Sequence, residues 1–248
     1  MKENTFRLTG VAIRSRDYKD GDKIITIFSL EQGKITALAK GARKPTASLR
    51  GAVQLLAQGS YLLARSRSSL PIVTQACQEQ SFLPPQGGFR QIAYASYVAE
   101  LSDLALEEGQ PSPELYRQLL IALSWIKLGE RPEAAVRYYE LQILREIGAF
   151  PDLTLCRGCG KATPFAAVLS PAAGGLLCPD CAEGDGPALS RGAVLTLARL
   201  AALPAQRLAS LEWSRDTGRE MGEALAAYLD YHLECHPKSR AFLDLPTP

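Results

Sequence analysis

Between Phe6 and Phe82, apolar and polar positions alternate in short runs broken by turn residues, the two-residue period of half-buried strands. Five strands are predicted, at residues 8–13, 23–30, 34–39, 54–64 and 72–82. The second, KIITIFSL, is rich in β-branched residues, and Glu31-Gln32-Gly33 turns it into the third; Gly59 interrupts the fourth. Five strands in about 80 residues suit a small barrel of the OB type, and an SH3-like barrel fits the same pattern. After Pro84-Pro85-Gln86-Gly87-Gly88, a linker by its residue types, the period becomes helical. Ile92, Tyr97, Leu101, Leu104 and Ala105 form one series, Leu115, Leu119, Ala122, Leu123 and Ile126 a second, and Val136, Tyr139, Leu144 and Ile147 a third. The second helix is predicted to start at a Ser112 N-cap with Pro113 in its first position and to close at Gly129. Two more helices are predicted at 190–203 and 214–234. The reading is an α+β chain, with a five-stranded barrel at 1–82 and an α-helical domain at 89–248.

Charge sharpens this division. Up to Ser81 there are 13 Lys+Arg against 6 Asp+Glu, and 15 against 20 afterwards, so the first third carries about +7 and the rest about −5. That asymmetry implies that the barrel meets a polyanion. Between Glu31 and Glu79 no acid occurs, while Lys34, Lys40, Arg43, Lys44, Arg50, Arg65 and Arg67 do, leaving seven cations with no counter-ion in the interval. Any one of them reads as ordinary solvated surface. As a cluster they read as a track for a phosphate backbone, bound salt-dependently and without much regard to sequence. On a strand Lys34 and Lys40 share one face and lead into the cationic 41–51 loop, and Arg14 and Arg16 extend the track. Phe6, Tyr18, Phe28, Tyr61 and Phe82 are the barrel's aromatics, several at positions a barrel buries, so phosphates rather than stacking are expected to dominate. No basic amphipathic helix accompanies the patch, which argues against a membrane surface.

CRGCGKATPFAAVLSPAAGGLLCPDC places Cys156, Cys159, Cys178 and Cys181 as two C-x2-C pairs 18 residues apart, the spacing of a four-thiolate zinc site. Each pair turns tightly enough to aim two sulfurs at one tetrahedral ion. Four thiolates leave no open position for water, so the zinc expected here is structural. A thiol-disulfide enzyme needs a single C-x-x-C opening a helix, and the second pair has no use in it. Cys235, between His232 and His236, reads as an inert thiol at a helix end, and Cys77 as core.

No Walker-type phosphate loop, G-x-S-x-G or H-E-x-x-H is present, and two histidines in 248 residues leave little for acid-base chemistry. The expectation is a binding protein, not an enzyme. The opening MKENTFRLTG has no apolar run and no stretch approaches a membrane span, so a cytoplasmic location is expected.

Three segments, GKITALAKGARKPTASLRGAVQLLAQGSYLLARS, YYELQILREIGAFPDLTLC with its paired cysteines, and YLDYHLECHPKSRAFLD, together resemble the bacterial recombination mediator family RecO, in order and over nearly the whole chain. The resemblance implies an N-terminal OB-fold and an α-helical domain with a zinc-finger-like insertion at 156–181. It also implies binding of single- and double-stranded DNA, annealing of complementary strands, and action with RecR to load RecA onto DNA coated by single-strand-binding protein, without nucleotide hydrolysis. Its DNA contacts would fall on the basic face of the barrel, matching Lys34, Lys40, Arg43, Lys44 and Arg50. In such proteins the helical domain can hold the C-terminal tail of single-strand-binding protein, and the location is the cytoplasm, at the nucleoid. A competing expectation from another class is a zinc-stabilised interaction scaffold with an RNA-binding barrel.

Overall fold

The computed structural model describes residues 5–44, 47–66, 70–83, 88–129, 131–162, 166–184 and 186–243. Residues 84–87 of the linker expected at 84–88, and Arg67 of the cation run, lie outside these residues. The chain gathers into two compact units, one of Met1–Lys127 with Pro237–Pro248 and one of Leu128–His236. This differs from a division at 82–89, because the first two helices and the last short one gather with the barrel.

In the first unit, β1 (Thr5–Tyr18), β2 (Asp22–Ser29), β3 (Gly33–Ala39), β4 (Ala57–Ala64) and β5 (Ile72–Ser81) close a barrel in the order β1-β2-β3-β5-β4, with β3 and β5 parallel at Leu38 and Ile72. This is an OB-type order. Inward positions carry Leu8, Ile25, Ile27, Ala37, Ala39, Tyr61, Leu63 and Val73, all buried. The 40–56 connection adds Ala42, Leu49, Ala52 and Val53 to the same core, so this loop is anchored by its own apolar residues. Each large apolar side chain, fully buried, contributes about 1.5–3 kcal/mol. The fourth strand starts at Ala57, not at residue 54, because Leu56 takes a left-handed φ of 63° and its N–H donates to the Ala12 carbonyl. The first strand runs on to Tyr18 through a bulge at Ile13, and its polar end pairs with β2. Cys77 is exposed, contrary to the core reading: Ala76 is the residue packed inward, and strand alternation turns its neighbour out.

Helices α1 (Phe89–Ala105) and α2 (Pro113–Leu128) belong to this unit. Ser112 caps α2 by accepting from Leu115 N–H at 3.4 Å, and Gly129 follows at φ 75°. Phe28, facing outward from β2, is buried edge-on against Tyr116 of α2 at 5.5 Å between centroids. At the β2–β3 turn, a Cβ on Gly33 would lie 1.9 Å from the Gln110 carbonyl oxygen, and its φ is +67°, so only glycine fits.

The 3-10 segment Lys238–Phe242 is fastened to α1 by Glu100, whose carboxylate accepts from Lys238 N–H (3.0 Å) and from the N–H (2.8 Å) and hydroxyl of Ser239. Burial raises the Glu100 pKa, but the bonds from Ser239 and Lys238 outweigh it and leave the carboxyl below its usual value. A lowered folded-state pKa stabilises the fold above the unfolded value and ceases to do so as pH falls through the folded one. Glu100→Ala is therefore expected to cost about 1 kcal/mol at neutral pH, on the scale of a lost helix cap. In thermal melts the gap to the unmodified protein should shrink as the pH is lowered into the carboxylate range, and a gap independent of pH would refute this clasp.

In the second unit, α3 (Pro132–Glu146), α4 (Arg191–Ala202) and α5 (Arg215–Leu233) pack with a small antiparallel sheet of order β7-β6-β8, formed by β6 (Ala167–Ser170), β7 (Gly175–Leu177) and β8 (Ala188–Leu189). Ser190 and Ser214 cap α4 and α5 with their hydroxyls. Val136, Tyr139, Leu144, Leu197, Leu200, Met221, Leu225 and Tyr228 are buried here. Within α3, Arg137 holds the fully buried Glu140 with two bonds of 2.6 and 2.7 Å. No helix among the described residues is long and apolar enough to cross a membrane.

Candidate nucleic-acid interface and metal centre

The cations of the barrel separate into two groups. Lys34 points outward from β3 but only 14% of its side chain is exposed, and its ammonium donates to the Asp103 carbonyl (2.6 Å) beside the Asp103 carboxylate (3.5 Å). Arg14 reaches the same carboxylate at 3.2 Å. Next on that face of β3, Thr36 bonds Glu108 through its hydroxyl and its N–H. The outer face of β3 at this point is thus an internal joint with the end of α1 and the segment after it. Counter-ions absent from the 32–78 interval are supplied from Asp103, a distant part of the chain, and from Asp17.

The second group surrounds one end of the barrel. The β1–β2 turn and the 40–44 turn are tied together, since Arg43 N–H donates to the Gly21 carbonyl (3.0 Å) and Gly41 N–H to the Asp22 carboxylate (2.7 Å). Register brings the end of β3 to the start of β5 at Leu38 and Ile72, and the end of β4 to the same place at Ala64. Arg16, Lys19, Lys40, Arg43, Lys44 and Arg65 are all exposed at this end. Arg43 pairs with Asp17 at 3.4 Å, and Lys23 approaches the same carboxylate at 3.1 Å. The hydrogen bond from Lys23, with the charges of Lys23 and Arg43, holds Asp17 below the usual carboxylate range. Among the described residues Arg16, Lys40, Lys44 and Arg50 have no carboxylate partner. Arg50 lies further along the loop: its neighbour Gly51 abuts the Gln78 side chain, six residues up β5 from Ile72, or about 20 Å.

Tyr61, Phe28 and Phe82 are buried, and burial pushes the Tyr61 hydroxyl pKa up, where it donates to the Ala52 carbonyl at 2.7 Å. Tyr18, 37% exposed, lies at the cationic end with the Lys19 ammonium 5.2 Å from its ring centre, and Phe6, partly buried, lies under the Arg65 guanidinium at 5.1 Å. Neither Lys19 nor Asp17 was singled out from the sequence. The Asp20-Gly21 hairpin signal could have placed Lys19 at a strand tip, whereas nothing local marks Asp17 as the partner of Arg43.

The four cysteines do come together: the sulfurs of Cys156, Cys159, Cys178 and Cys181 all lie within 4.8 Å of one another. Zn–S bonds of about 2.3 Å in a tetrahedron require sulfurs about 3.8 Å apart, and Cys159 and Cys178 stand at 3.8 Å. Asp152 opens the segment with a turn onto Thr154 and Leu155, and Cys156 N–H pairs with the Lys161 carbonyl at 2.8 Å. Gly158 permits the two knuckles to meet, because a Cβ there would lie 3.0 Å from the Cys181 sulfur. Backbone N–H groups of Cys159 and Cys178 lower the Cys156 pKa to about 6, the latter approaching its sulfur at 3.3 Å. That arrangement stabilises a thiolate. Donor set, spacing and oriented N–H groups fit a metal ion held by four thiolates. His236 instead pairs with Asp230 at 2.8 Å on the exposed end of α5.

Also in this unit, an open groove of about 600 Å³ is lined by Arg145, Phe150, Leu153, Arg157, Ala198 and Ala201 among others.

An OB-type barrel with cations gathered at one end, on a chain that also carries helices and a four-cysteine cluster, defines the class as OB-fold proteins with a zinc-finger-like insertion. Comparison narrows it: residues 1–82 match the family description Recombination protein O N terminal, and residues 87–241 match Recombination protein O C terminal. The chain belongs to the Recombination protein O family. It is similar to DNA repair protein RecO of Moorella thermoacetica, 34% identical over 244 residues that cover 96% of this chain and 90% of that protein. DNA repair protein RecO of Desulforudis audaxviator is 35% identical, covering 96% of each chain, and that of Anaeromyxobacter dehalogenans is 34% identical, covering 96% and 95%.

Proposed function

We propose that this chain is a DNA-binding recombination mediator in DNA repair, without catalytic activity of its own. It binds single- and double-stranded DNA at the cationic end of the barrel, anneals complementary strands and, with RecR, helps load RecA onto DNA coated by single-strand-binding protein, in the cytoplasm at the nucleoid. The observation that carries this reading is the set Arg16, Lys40, Lys44 and Arg50, exposed and without a carboxylate partner among the described residues, beside Arg43. Strung from the end of β1 along the 40–50 connection, they suit the several nucleotides that an OB-fold tracks.

Annealing here is physical. Cations neutralise phosphates on two strands, which lowers their mutual repulsion, and release of condensed counterions supplies the favourable term. Complementary bases then meet without a reacting side chain. Lys34 serves this surface indirectly, by fixing β3 to Asp103, whereas Arg14, 61% exposed beside the same carboxylate, extends the surface along β1. Zinc held by Cys156, Cys159, Cys178 and Cys181 would brace the second unit and take no part in binding chemistry.

Binding of labelled single-stranded DNA across a salt series, followed by annealing of complementary oligonucleotides, tests the proposal. Steeply salt-dependent binding with faster annealing is expected. Failure to bind at low salt, or a strong preference for RNA, would replace it with the scaffold reading.

A further inference from the structure

Asp17 stands among the cations of the proposed DNA surface with more than half of its side chain, 58%, exposed. Its carboxylate touches two cations that differ in freedom. Lys23 is 15% exposed, pairs at 3.1 Å and is also bonded to the Ser15 hydroxyl at 3.3 Å, so it is fixed in the barrel wall. Arg43 is 46% exposed, pairs through Nε at 3.4 Å, and has its backbone held by the Gly21 carbonyl. Arg43 can therefore change partner by side-chain rotation alone, while Lys23 keeps Asp17 in place. Of the other acids at this tip, Asp22 is engaged by Gly41 N–H, and Asp20 makes no ion pair among the described residues.

We propose that Asp17 is an internal competitor for phosphate: it holds Arg43 in the DNA-free protein, and a backbone phosphate displaces it when a strand binds. Exposed ion pairs are weak, so the exchange is easy in both directions. Its consequence is that Arg43 contributes little net affinity, because a phosphate can bind there only by breaking the existing pair with Asp17. Such a surface holds strands loosely enough to hand them on, and in this respect the inference rests on the DNA-binding reading above.

The test measures binding of a labelled oligothymidylate over a range of NaCl concentrations for the unmodified protein, Asp17→Asn, Asp17→Asn with Arg43→Ala, and Asp20→Asn. Asp17→Asn is expected to bind more tightly at low salt, with the slope of log affinity against log salt steeper by about 0.7, the increment of one further phosphate on a single strand. Adding Arg43→Ala should abolish that increment. Asp20→Asn, which removes a charge without freeing a cation, should leave the slope unchanged. Equal slopes for Asp17→Asn and the unmodified protein, or an equal rise in Asp20→Asn, would overturn the proposal while leaving DNA binding intact. No binding by the unmodified protein would instead overturn the reading on which it rests. Melting temperatures within a degree or so of one another, as expected for exposed substitutions, tie the difference in slope to charge and not to folding.

Discussion

Treatment with a strong chelator, or replacement of Cys178 by Ser, is expected to unfold the two cysteine knuckles while the hairpin of β6 and β7 and the barrel stay folded. Leu153, Ala167, Leu169 and Leu176 bury the hairpin of this segment in the core of the unit, but the cysteine knuckles themselves have little else to hold them. Their buried apolar cluster comprises Cys156, Leu177 and Cys178, with Ala173, Cys181 and Ala182 partly buried beside them. Against this, a four-thiolate zinc site contributes on the order of 10 kcal/mol of binding free energy that is also folding free energy. The ligands must be thiolates, so the ion should be lost as the pH is lowered, with the knuckles melting in parallel. Metal content measured by mass spectrometry should approach one zinc per chain, and limited proteolysis should cut between Cys159 and Cys178 only after chelation. A chelated protein that resists the protease as well as the untreated one would show that the thiols pack without an ion.

The cysteine site was legible because C-x2-C spacing is a local geometric demand that survives any change elsewhere in the chain. Strand existence was legible for the same reason, since alternation over 23–30 and 34–39 needs no knowledge of partners. What lay outside the sequence was mostly long-range. The 32–78 interval looks unbalanced until Asp103, 69 positions from Lys34, is brought beside it. Phe28 reads as a candidate for stacking, yet α2 covers it with Tyr116. Cys77 sits in an apolar context, but inward or outward placement depends on register, and Ala76 took the inward place. The strands at 167–170, 175–177 and 188–189 were missed because so few residues show no period. Likewise, the return of Lys238–Phe242 to α1 is set by the Glu100 carboxylate, which looks like any surface acid in the sequence.

Replacing Lys40, Arg43 and Lys44 together by Ala is the second change with a large expected effect. All three are exposed on one turn whose backbone is fixed by Gly21 and Asp22, so truncation removes charge and leaves the turn in place. If Lys40 and Lys44 each neutralise one phosphate of a single strand while Arg43 is offset by Asp17, the slope of log affinity against log salt should flatten by about 1.4, and affinity near physiological salt should fall on the order of tenfold. Because these side chains would meet phosphates and not bases, the fall should be the same for every base sequence. Lys34→Ala makes the informative contrast. Its ammonium is buried against Asp103, so its removal should lower the melting temperature and leave the salt slope near that of the unmodified protein. An unchanged slope in the triple variant, or a flattened one in Lys34→Ala with the fold intact, would move the DNA path from the barrel's end to the face of β3. The salt slope separates the two paths, because it counts the phosphates neutralised whatever the stability of the variant that neutralises them.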